Sequence, residues 1–247
     1  MKVIYSHSFY PVYTSDPAAE AGRIEAVMNA LPAGMKLIEA EPATEAQIAL
    51  AHTIEHIGFV RQEGLYDIAA LAAGGAIQAA RLGLDAPAFG AIRPPGHHAS
   101  SDSCWGFCYF NNMAVALLTL KDEGLIETAT ILDVDLHYGD GNVNILGHRR
   151  WVSICNPASR TRDTYLDEVE TFIKEHPADI IGISAGFDHH QHDWGGLLHT
   201  QDYHAMGRMV INSARKNNGG CFAILEGGYN HKVIGLNAAA LIEGLSP

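Results

Sequence analysis

Short apolar runs alternate with longer amphipathic segments along most of the chain. The runs that predict strands are residues 3–5, 88–92, 130–134, 151–155, 180–184 and 221–225. The segments that predict helices are residues 17–31, 44–61, 66–82, 111–120, 164–175, 202–215 and 233–245. Asp16 and Thr44 stand where helix caps are expected, and Pro17 suits a first helical position. Alternation of this kind is typical of a parallel sheet covered by helices on both faces.

A single domain spanning residues 1–247 is the expected organisation. No linker rich in Pro, Gly or Ser interrupts the pattern, and no internal repeat is present. Gly74 and Gly75 in the middle of an Ala-rich segment predict a buried helix packed closely on a neighbour. In parallel sheets, ligands bind beyond the carboxyl ends of the strands. The polar clusters described below each follow an apolar run on that side.

The chain is acidic, because 16 Lys and Arg residues stand against 28 Asp and Glu residues for a formal charge of −12. This charge argues against DNA or RNA as a partner and would attract cationic molecules. No apolar run approaches the roughly 20 residues that cross a bilayer. The start lacks the apolar stretch of a secretory signal, and the four cysteines do not suggest a disulfide framework. We therefore expect a cytoplasmic protein with no membrane partner.

The segment from residue 131 to residue 141 carries the densest group of potential metal ligands. Asp133, Asp135 and His137 are spaced two apart after an apolar run, so they can share one side of a strand end. Carboxylate oxygen and imidazole nitrogen are suitable ligands for Zn²⁺. The alternative is a solvated acidic turn after a strand.

A third ligand could come from Asp188, which follows the apolar run 180–184 across small residues. Together with Asp135 and His137, it would leave one coordination position open. An open position distinguishes catalytic zinc from structural zinc. Alternatively, Asp188 is a helix cap or a turn residue.

Two adjacent histidines, His97 and His98, follow the rigid Arg-Pro-Pro-Gly sequence at residues 93–96. A histidine pair beside a metal can divide the work, with one ring accepting a proton and the other stabilising charge. Each ring would need a carboxylate to orient it, and Asp133 and Asp140 are available if Asp135 binds the metal. The alternative is a surface turn or a satisfied pair of core histidines.

Two glycine-containing segments complete the set of candidates. Gly227 and Gly228 allow close approach of the backbone, and the following Tyr229 could donate its hydroxyl to a developing oxyanion. Phe107, directly after Gly106, could line an apolar tunnel. Ordinary loops and core aromatic clusters have the same composition.

Taken in order, five segments resemble the zinc-dependent histone deacetylase superfamily, which includes acetylpolyamine amidohydrolases and acetoin-utilisation proteins. They are RPPGHHA (93–99), GFCYFNN (106–112), DVDLHYGDG (133–141), SAGFD (184–188) and EGGYN (226–230). The resemblance runs from about residue 3 to residue 241. It implies a three-layer α/β/α domain with a mostly parallel central sheet, as in arginase. It also implies a zinc-dependent amidohydrolase that removes an acetyl or other short acyl group from an acylated amine, such as acetyl-lysine or an acetylpolyamine.

The resemblance further implies roles for the polar residues. The zinc ligands correspond to Asp135, His137 and Asp188. The general base and acid corresponds to His98, held by Asp140, and the second histidine corresponds to His97, held by Asp133. The family also binds a structural monovalent cation, usually potassium. Its ligands correspond to Asp133, Asp135, His137, Ser153 and the carbonyl of Ile154.

The remaining positions concern the substrate. Tyr229 corresponds to the residue that polarises the scissile carbonyl, and Phe107 to one wall of the acyl tunnel. Arg23 corresponds to an arginine near the internal acetate channel. The resemblance also implies that Gly106, Gly227 and Gly228 border the substrate site.

Two loops are short for this family, those at residues 63–66 and 155–164. The second normally supplies an aromatic wall facing Phe107, and only Phe107 of that pair is identified in the sequence. We therefore expect a wide and shallow entrance, unless a neighbouring subunit of a homo-oligomer supplies the missing wall.

Other interpretations depend on single positions. An arginase-like dimetal ureohydrolase would need carboxylates where Gly139 and His190 stand. A non-catalytic relative that binds acylated amines would be favoured if a ligand or catalytic residue were replaced, and none is. His189, His190 and His192 are interpreted as rim or surface histidines. The ligand set does not discriminate strongly between Zn²⁺ and Fe²⁺, and the sequence leaves the acylated amine open.

Overall fold

Strands and helices alternate through the computed structural model, which describes residues 1–246. The strands are β1 (Lys2–Tyr5), β2 (Lys36–Glu39), β3 (Ala88–Gly90), β4 (Ala129–Asp133), β5 (Val152–Cys155), β6 (Ile180–Ala185) and β7 (Gly220–Leu225). The helices are α1 (Arg23–Ala30), α2 (Glu45–Ile48), α3 (Ile54–Gln62), α4 (Tyr66–Gly83), α5 (Asn112–Asp122), α6 (Asp140–Leu146), α7 (Arg162–Glu175), α8 (Thr200–Lys216) and α9 (Ile234–Leu245).

The seven strands form one sheet in the order β2-β1-β3-β7-β6-β4-β5, and all neighbouring pairs are parallel. Helices α1, α7, α8 and α9 pack on one face, and α2 to α6 pack on the other. Every residue of β6 and β7 is buried, as expected for central strands covered on both sides. The predicted three-layer α/β/α fold is confirmed, and the sheet is parallel throughout.

The predictions of one continuous helix at residues 17–31 and another at residues 44–61 are wrong, because each segment is interrupted. Asp16 caps only a 3₁₀ turn at Pro17–Ala19, and α1 begins after Gly22, whose φ of +87° interrupts helical geometry. Thr44 caps the short α2, and Thr53 then caps a separate helix, α3, by accepting a hydrogen bond from the His56 amide. Each segment contains a second helix start that the apolar pattern does not reveal.

The structure contains two elements, β2 and α6, that the sequence pattern did not predict. The edge strand β2 is mostly exposed and exists through its backbone pairing with β1. Helix α6 begins Asp-Gly-Asn, and these are poor helix formers. It is held by packing against α5 and β5. Tertiary contacts decide both elements.

The glycine pair in α4 has the predicted packing role. A Cβ at Gly74 would lie 1.9 Å from the carbonyl oxygen of Glu41, so a side chain has no room there. Both glycines lie inside the helix, away from any strand-to-helix turn, which excludes a phosphate-binding loop at this position. Within residues 1–246, no helix is long and apolar enough to span a membrane. The single-domain organisation stays a prediction.

The topology brings four loops to one edge of the sheet. Strands β3, β7, β6 and β4 are consecutive neighbours, and their carboxyl ends carry the His pair, the Gly-Gly-Tyr segment, Asp188 and the Asp-His segment respectively. Residues distant in sequence therefore meet at this edge.

Candidate active site

Three side chains converge between the ends of β4 and β6. His137 Nδ1 lies 3.1 Å from Asp135 Oδ1 and 3.0 Å from Asp188 Oδ2. The potential ligand atoms of the three residues all lie within 4.8 Å of one another. Both carboxylates are buried, whereas the His137 side chain is 36% exposed. The imidazole therefore faces an opening while the carboxylates lie beneath it.

The geometry around these three residues fits a divalent cation. Asp188 Oδ2 is a buried oxygen that accepts no well-aligned hydrogen bond, although it lies close to His137 Nδ1. A Cβ at Gly227 would lie 2.5 Å from Asp135 Oδ2 and 2.9 Å from Asp188 Oδ2, so glycine is needed for the carboxylates to lie here. One nitrogen and two carboxylate oxygens are donors that Zn²⁺ accepts.

The charges of this group are mutually dependent. The hydrogen bond with Asp135 and the nearby Asp188 carboxylate raise the pKa of His137 to about 10, so the metal-free imidazole carries a proton that offsets their charge. Burial and the negative charge of Asp135 raise the pKa of Asp188. A cation at this position would replace the proton and neutralise both carboxylates.

The two adjacent histidines each contact a different carboxylate. His97 Nδ1 lies 3.2 Å from Asp133 Oδ2, and His98 Nδ1 lies 2.6 Å from Asp140 Oδ1. The centroids of the two rings are 4.0 Å apart. The contact with Asp140 leaves Nε2 of His98 free to face the cavity, whereas Nε2 of His97 lies 3.7 Å from Asp135 Oδ1.

The environments of the two rings move their pKa values in opposite directions. Burial and the neighbouring His97 lower the pKa of His98 to about 4, so this ring is neutral. Burial alone would lower the pKa of His97, but the charges of Asp135 and Asp133 outweigh it and raise the pKa well above its usual value. Opposite shifts in adjacent groups are typical of an acid–base pair with divided roles.

Trp105 is a member of the site that sequence reasoning missed. Its indole Nε1 donates to Asp140 Oδ2 at 2.8 Å, and its ring centroid lies 3.8 Å from that of His98. The sequence offered no direct signal for it, because a single tryptophan in a loop forms no spacing pattern with other polar residues. In the same segment, Cys108 is buried and Cys104 is half-buried.

A cavity of about 320 Å³ opens above these groups. It is lined by Pro95, His97, His98, Trp105, Gly106, Phe107, His137, Trp194, Gly227 and Tyr229. The Trp194 ring stacks on Tyr229 with centroids 4.0 Å apart, and Phe107 meets Tyr229 edge-on at 6.1 Å. Trp194, which was also missed, supplies an aromatic wall from the loop after β6.

Asp193 explains the position of this wall. Its Oδ2 accepts hydrogen bonds from the backbone amides of Tyr229 and Asn230, both at 2.8 Å. The loop after β6 is thereby attached to the loop after β7, and Trp194 lies against Tyr229.

The short loop at residues 156–160 leaves a second cavity of about 490 Å³ on the other side of His137. His137 therefore borders two open spaces, and the wide, shallow entrance expected from the short loop stays a prediction. His190 is buried at 2% exposure and lies 3.3 Å from the Thr200 hydroxyl, so its interpretation as a rim residue is wrong.

Phe107 has a strained backbone at the rim of the cavity. Its φ is +67°, a left-handed value that is uncommon for a bulky residue. A Cβ at the preceding Gly106 would lie 2.5 Å from the His98 ring, so this glycine permits the close approach. Strain of this kind is concentrated at functional sites.

Below the cavity, Arg23 and Glu226 organise the backbone. The buried guanidinium of Arg23 donates to the carbonyl oxygens of Glu226 and Gly228. Glu226 Oε2 accepts hydrogen bonds from the amides of Gly96 at 2.7 Å and His97 at 3.2 Å. These bonds attach the end of β7 to the turn that carries the histidine pair.

His97, Cys108 and Glu226 form a second group with potential ligand atoms within 4.8 Å of one another. Burial raises the pKa of the Cys108 thiol well above its usual value and that of Glu226 to about 7. The Cys108 thiol therefore keeps its proton at neutral pH, so this trio fits a metal less well than the trio around His137.

Glu226→Gln is expected to stabilise the metal-free protein at pH 8. The rise of the Glu226 pKa from 4.5 to about 7 corresponds to a cost on the order of 3 kcal/mol above pH 7. The cost is lost below pH 4.5, because the carboxyl is then protonated in both folded and unfolded chains. Gln retains an oxygen for the two backbone amides. Urea unfolding of both proteins at pH 8 and pH 5 measures the difference, and an equal difference at the two pH values would contradict the burial of a charge.

Ser153 and Ile154, the remaining positions of the expected monovalent cation site, lie in β5 beside β4. The register pairs Ser153 with Thr130 and Ile154 with Ile131. Both residues are therefore near the strand that ends at Asp133.

The fold and these contacts define an α/β protein with a candidate metal centre and a paired-histidine site at the carboxyl edge of a parallel sheet. The sequence profile of the histone deacetylase domain matches residues 61–165 and 159–245. The chain belongs to the histone deacetylase domain family.

Named relatives agree with this assignment. The chain is 32% identical to a protein of Archaeoglobus fulgidus named "Probable deacetylase", over 88% of this chain and 74% of the relative. It is 27% identical to the "Histone deacetylase-like amidohydrolase" of Pseudomonas aeruginosa, over 89% and 73%. It is 30% identical to the "Acetylpolyamine amidohydrolase" of Mycoplana ramosa, over 64% and 56%. The crystal structure of the HDA15 HD domain has the same fold, with a TM-score of 0.85 at 23% identity, over 99% of this chain and 88% of that one.

Proposed function

We propose that the protein is a metal-dependent deacetylase that hydrolyses the amide bond of an acylated amine. One observation carries the proposal: a potential cation site and a His98–Asp140 pair border a single aromatic cavity. Relatives named deacetylase and acetylpolyamine amidohydrolase support the reaction class. The products are a carboxylate, acetate in the simplest case, and a free amine.

Asp135, His137 and Asp188 would hold the cation. When bound, Zn²⁺ or Fe²⁺ supplies Lewis acidity, which polarises the amide carbonyl and makes water a better nucleophile near neutral pH. A monovalent cation, K⁺ in related proteins, would lie near Asp133, Ser153 and the Ile154 carbonyl.

His98 is the general base and acid in this proposal. It is neutral, and Asp140 holds its Nδ1, so Nε2 is free to accept a proton from the attacking water. The same nitrogen then delivers the proton to the leaving amine. His97, whose Nδ1 contacts Asp133, would stabilise the negative charge that develops on the carbonyl oxygen.

Tyr229 donates its hydroxyl to the same oxygen. Burial raises the pKa of Tyr229, so its proton stays in place. Asp193 and the left-handed Gly228, with φ of +110°, hold the backbone on which this tyrosine lies. Phe107 and Trp194 enclose the acyl group and exclude water.

The substrate is an acylated amine whose free portion carries positive charge. The net charge of −12 favours such a molecule electrostatically. Acetyl-lysine in a peptide and an acetylpolyamine share this chemistry.

The test is acetate release from acetyl-lysine peptides and acetylpolyamines by the purified protein. Activity should disappear after treatment with a chelator and return when Zn²⁺ or Fe²⁺ is added. If the metal-loaded protein binds these compounds and releases no acetate, it is a non-catalytic relative and the proposal fails.

Tyr229→Phe is expected to lower kcat by at least about a hundredfold, because one oxyanion donor is removed from a desolvated site. KM should change little, since the aromatic ring that faces the substrate is retained. Tyr138→Phe is the matched control, because Tyr138 is 60% exposed and does not line the 320 Å³ cavity. Steady-state kinetics of the two variants measure the effect, and a Tyr229→Phe enzyme with wild-type kcat would disprove this role.

A further inference from the structure

Trp105 occupies a position that hydrophobic burial does not explain. Trp105 is 54% exposed, so about half of its surface stays in water and burial alone does not fix its orientation. Two specific contacts hold it: the hydrogen bond to Asp140 and the ring contact with His98. Both partners belong to the proposed proton-transfer pair.

Asp140 depends on side-chain partners for its orientation. It is the first residue of α6, and its side chain is 43% exposed. Within residues 1–246, its two side-chain partners are His98, at Oδ1, and Trp105, at Oδ2. An exposed carboxylate with one partner could rotate about its χ angles, whereas the indole N–H occupies the second oxygen and directs the first at His98.

The orientation of Asp140 determines which nitrogen of His98 can act. The contact at Nδ1 places the ring proton on that atom, and Nε2 then keeps its lone pair towards the cavity. The Trp105 ring also covers part of the His98 ring, which reduces the access of water to the pair.

We propose that Trp105 is a positioning residue that acts through Asp140 to hold His98 in its proton-accepting orientation. The inference rests on the proposed deacetylase function and deepens it. A competing explanation is that Trp105, which also lines the cavity, serves only to contact the substrate. The two explanations predict different kinetics.

Trp105→Phe tests the proposal because it keeps a ring against His98 and removes the N–H donor. We expect kcat about tenfold lower, equivalent to about 1.4 kcal/mol, with KM changed less than about twofold. If Trp105 acts through Asp140, adding Trp105→Phe to Asp140→Ala should change kcat less than about twofold further. Asp140→Ala is suitable because the position is exposed and alanine is a strong helix former.

Trp151→Phe is the matched control. Trp151 is half-buried, directly precedes β5 in the sequence and does not line the 320 Å³ cavity. It should leave kcat and KM unchanged. A Trp105→Phe enzyme with unchanged kcat overturns the proposal. So does a raised KM with unchanged kcat, or an equal loss in the Asp140→Ala background, because these outcomes describe a substrate contact.

A measurement without substrate separates this proposal from the deacetylase function. The three tryptophans give three indole N–H signals in an NMR spectrum, and Trp→Phe variants assign them. The Trp105 signal should shift in Asp140→Ala, whereas those of Trp151 and Trp194 should stay in place. An unmoved Trp105 signal refutes the contact whether or not the enzyme is active. A shifted signal in a protein that deacetylates nothing refutes only the proposed function.

Discussion

Asp188→Asn is expected to abolish metal binding and to lower deacetylation by at least about a thousandfold, because the metal supplies several kcal/mol of transition-state stabilisation. Asn has the same size, and its oxygen can still accept the hydrogen bond that the Leu136 amide donates to Asp188 Oδ1 at 3.0 Å. The change therefore removes one charged ligand and leaves the fold intact. Zinc content per chain and acetate release are the measurements.

The stability of Asp188→Asn distinguishes the loss of a metal ligand from damage to the fold. In the metal-free protein at pH 8, burial and Asp135 make the ionised form of Asp188 unfavourable. An acid whose folded pKa is raised destabilises the protein above that pKa, so Asp188→Asn should be at least as stable as the wild type there. Zinc should raise the melting temperature of the wild type and leave that of the variant unchanged.

Asp179→Asn is the control for this pair of measurements. Asp179 precedes the same strand, β6, at its opposite end, where its carboxylate accepts hydrogen bonds from the Glu127 and Thr128 amides. The variant should keep its zinc and its activity. An Asp188→Asn protein that binds one zinc per chain and turns over at the wild-type rate would rule out the proposed metal centre.

His98→Gln is expected to lower kcat by about a hundredfold to ten-thousandfold, the usual contribution of a general acid–base group. The glutamine amide can donate to Asp140 as His98 does, but it cannot accept and return a proton at neutral pH. Zinc content should be unchanged, because His98 is outside the Asp135–His137–Asp188 group. The loss should therefore appear in kcat at full metal occupancy.

The control is His148→Gln, an exposed histidine just beyond the end of α6, the helix that begins at Asp140. Wild-type kinetics are expected for it. If His98→Gln retains wild-type kcat, the proton is carried by another group, and the assignment of His98 as base is wrong.

Much of the fold could be predicted from local pattern. The central strands β4, β6 and β7 are continuous apolar runs because both of their faces are covered, and such runs are visible in sequence. The edge strand β2 is exposed, so it leaves no apolar run to detect. The breaks near Gly22 and Thr53 depend on a left-handed residue and on an internal cap, which short-range hydrophobicity does not encode.

Some residues of the candidate site could likewise be predicted from the sequence, and others could not. Histidine and aspartate clusters in motifs located the residues around His137 and His98, and the structure brings them to one edge of the sheet. Trp105 and Trp194 escaped notice because an exposed tryptophan in a loop carries no spacing signal. Each is placed by contacts with residues distant in the sequence, Asp140 at the start of α6 for the first and Tyr229 in the loop after β7 for the second.

By itself, the sequence determined the fold class and the residue types available for chemistry, because apolar periodicity and short motifs are local properties of the chain. Only the tertiary structure decided that a chain with a shortened loop still encloses its cavity with aromatic rings. It also decided that Asp140 has a second partner, and that the two histidines have opposite pKa shifts. These properties depend on distances between side chains on different strands, and on the burial of charge that follows when those strands pack together.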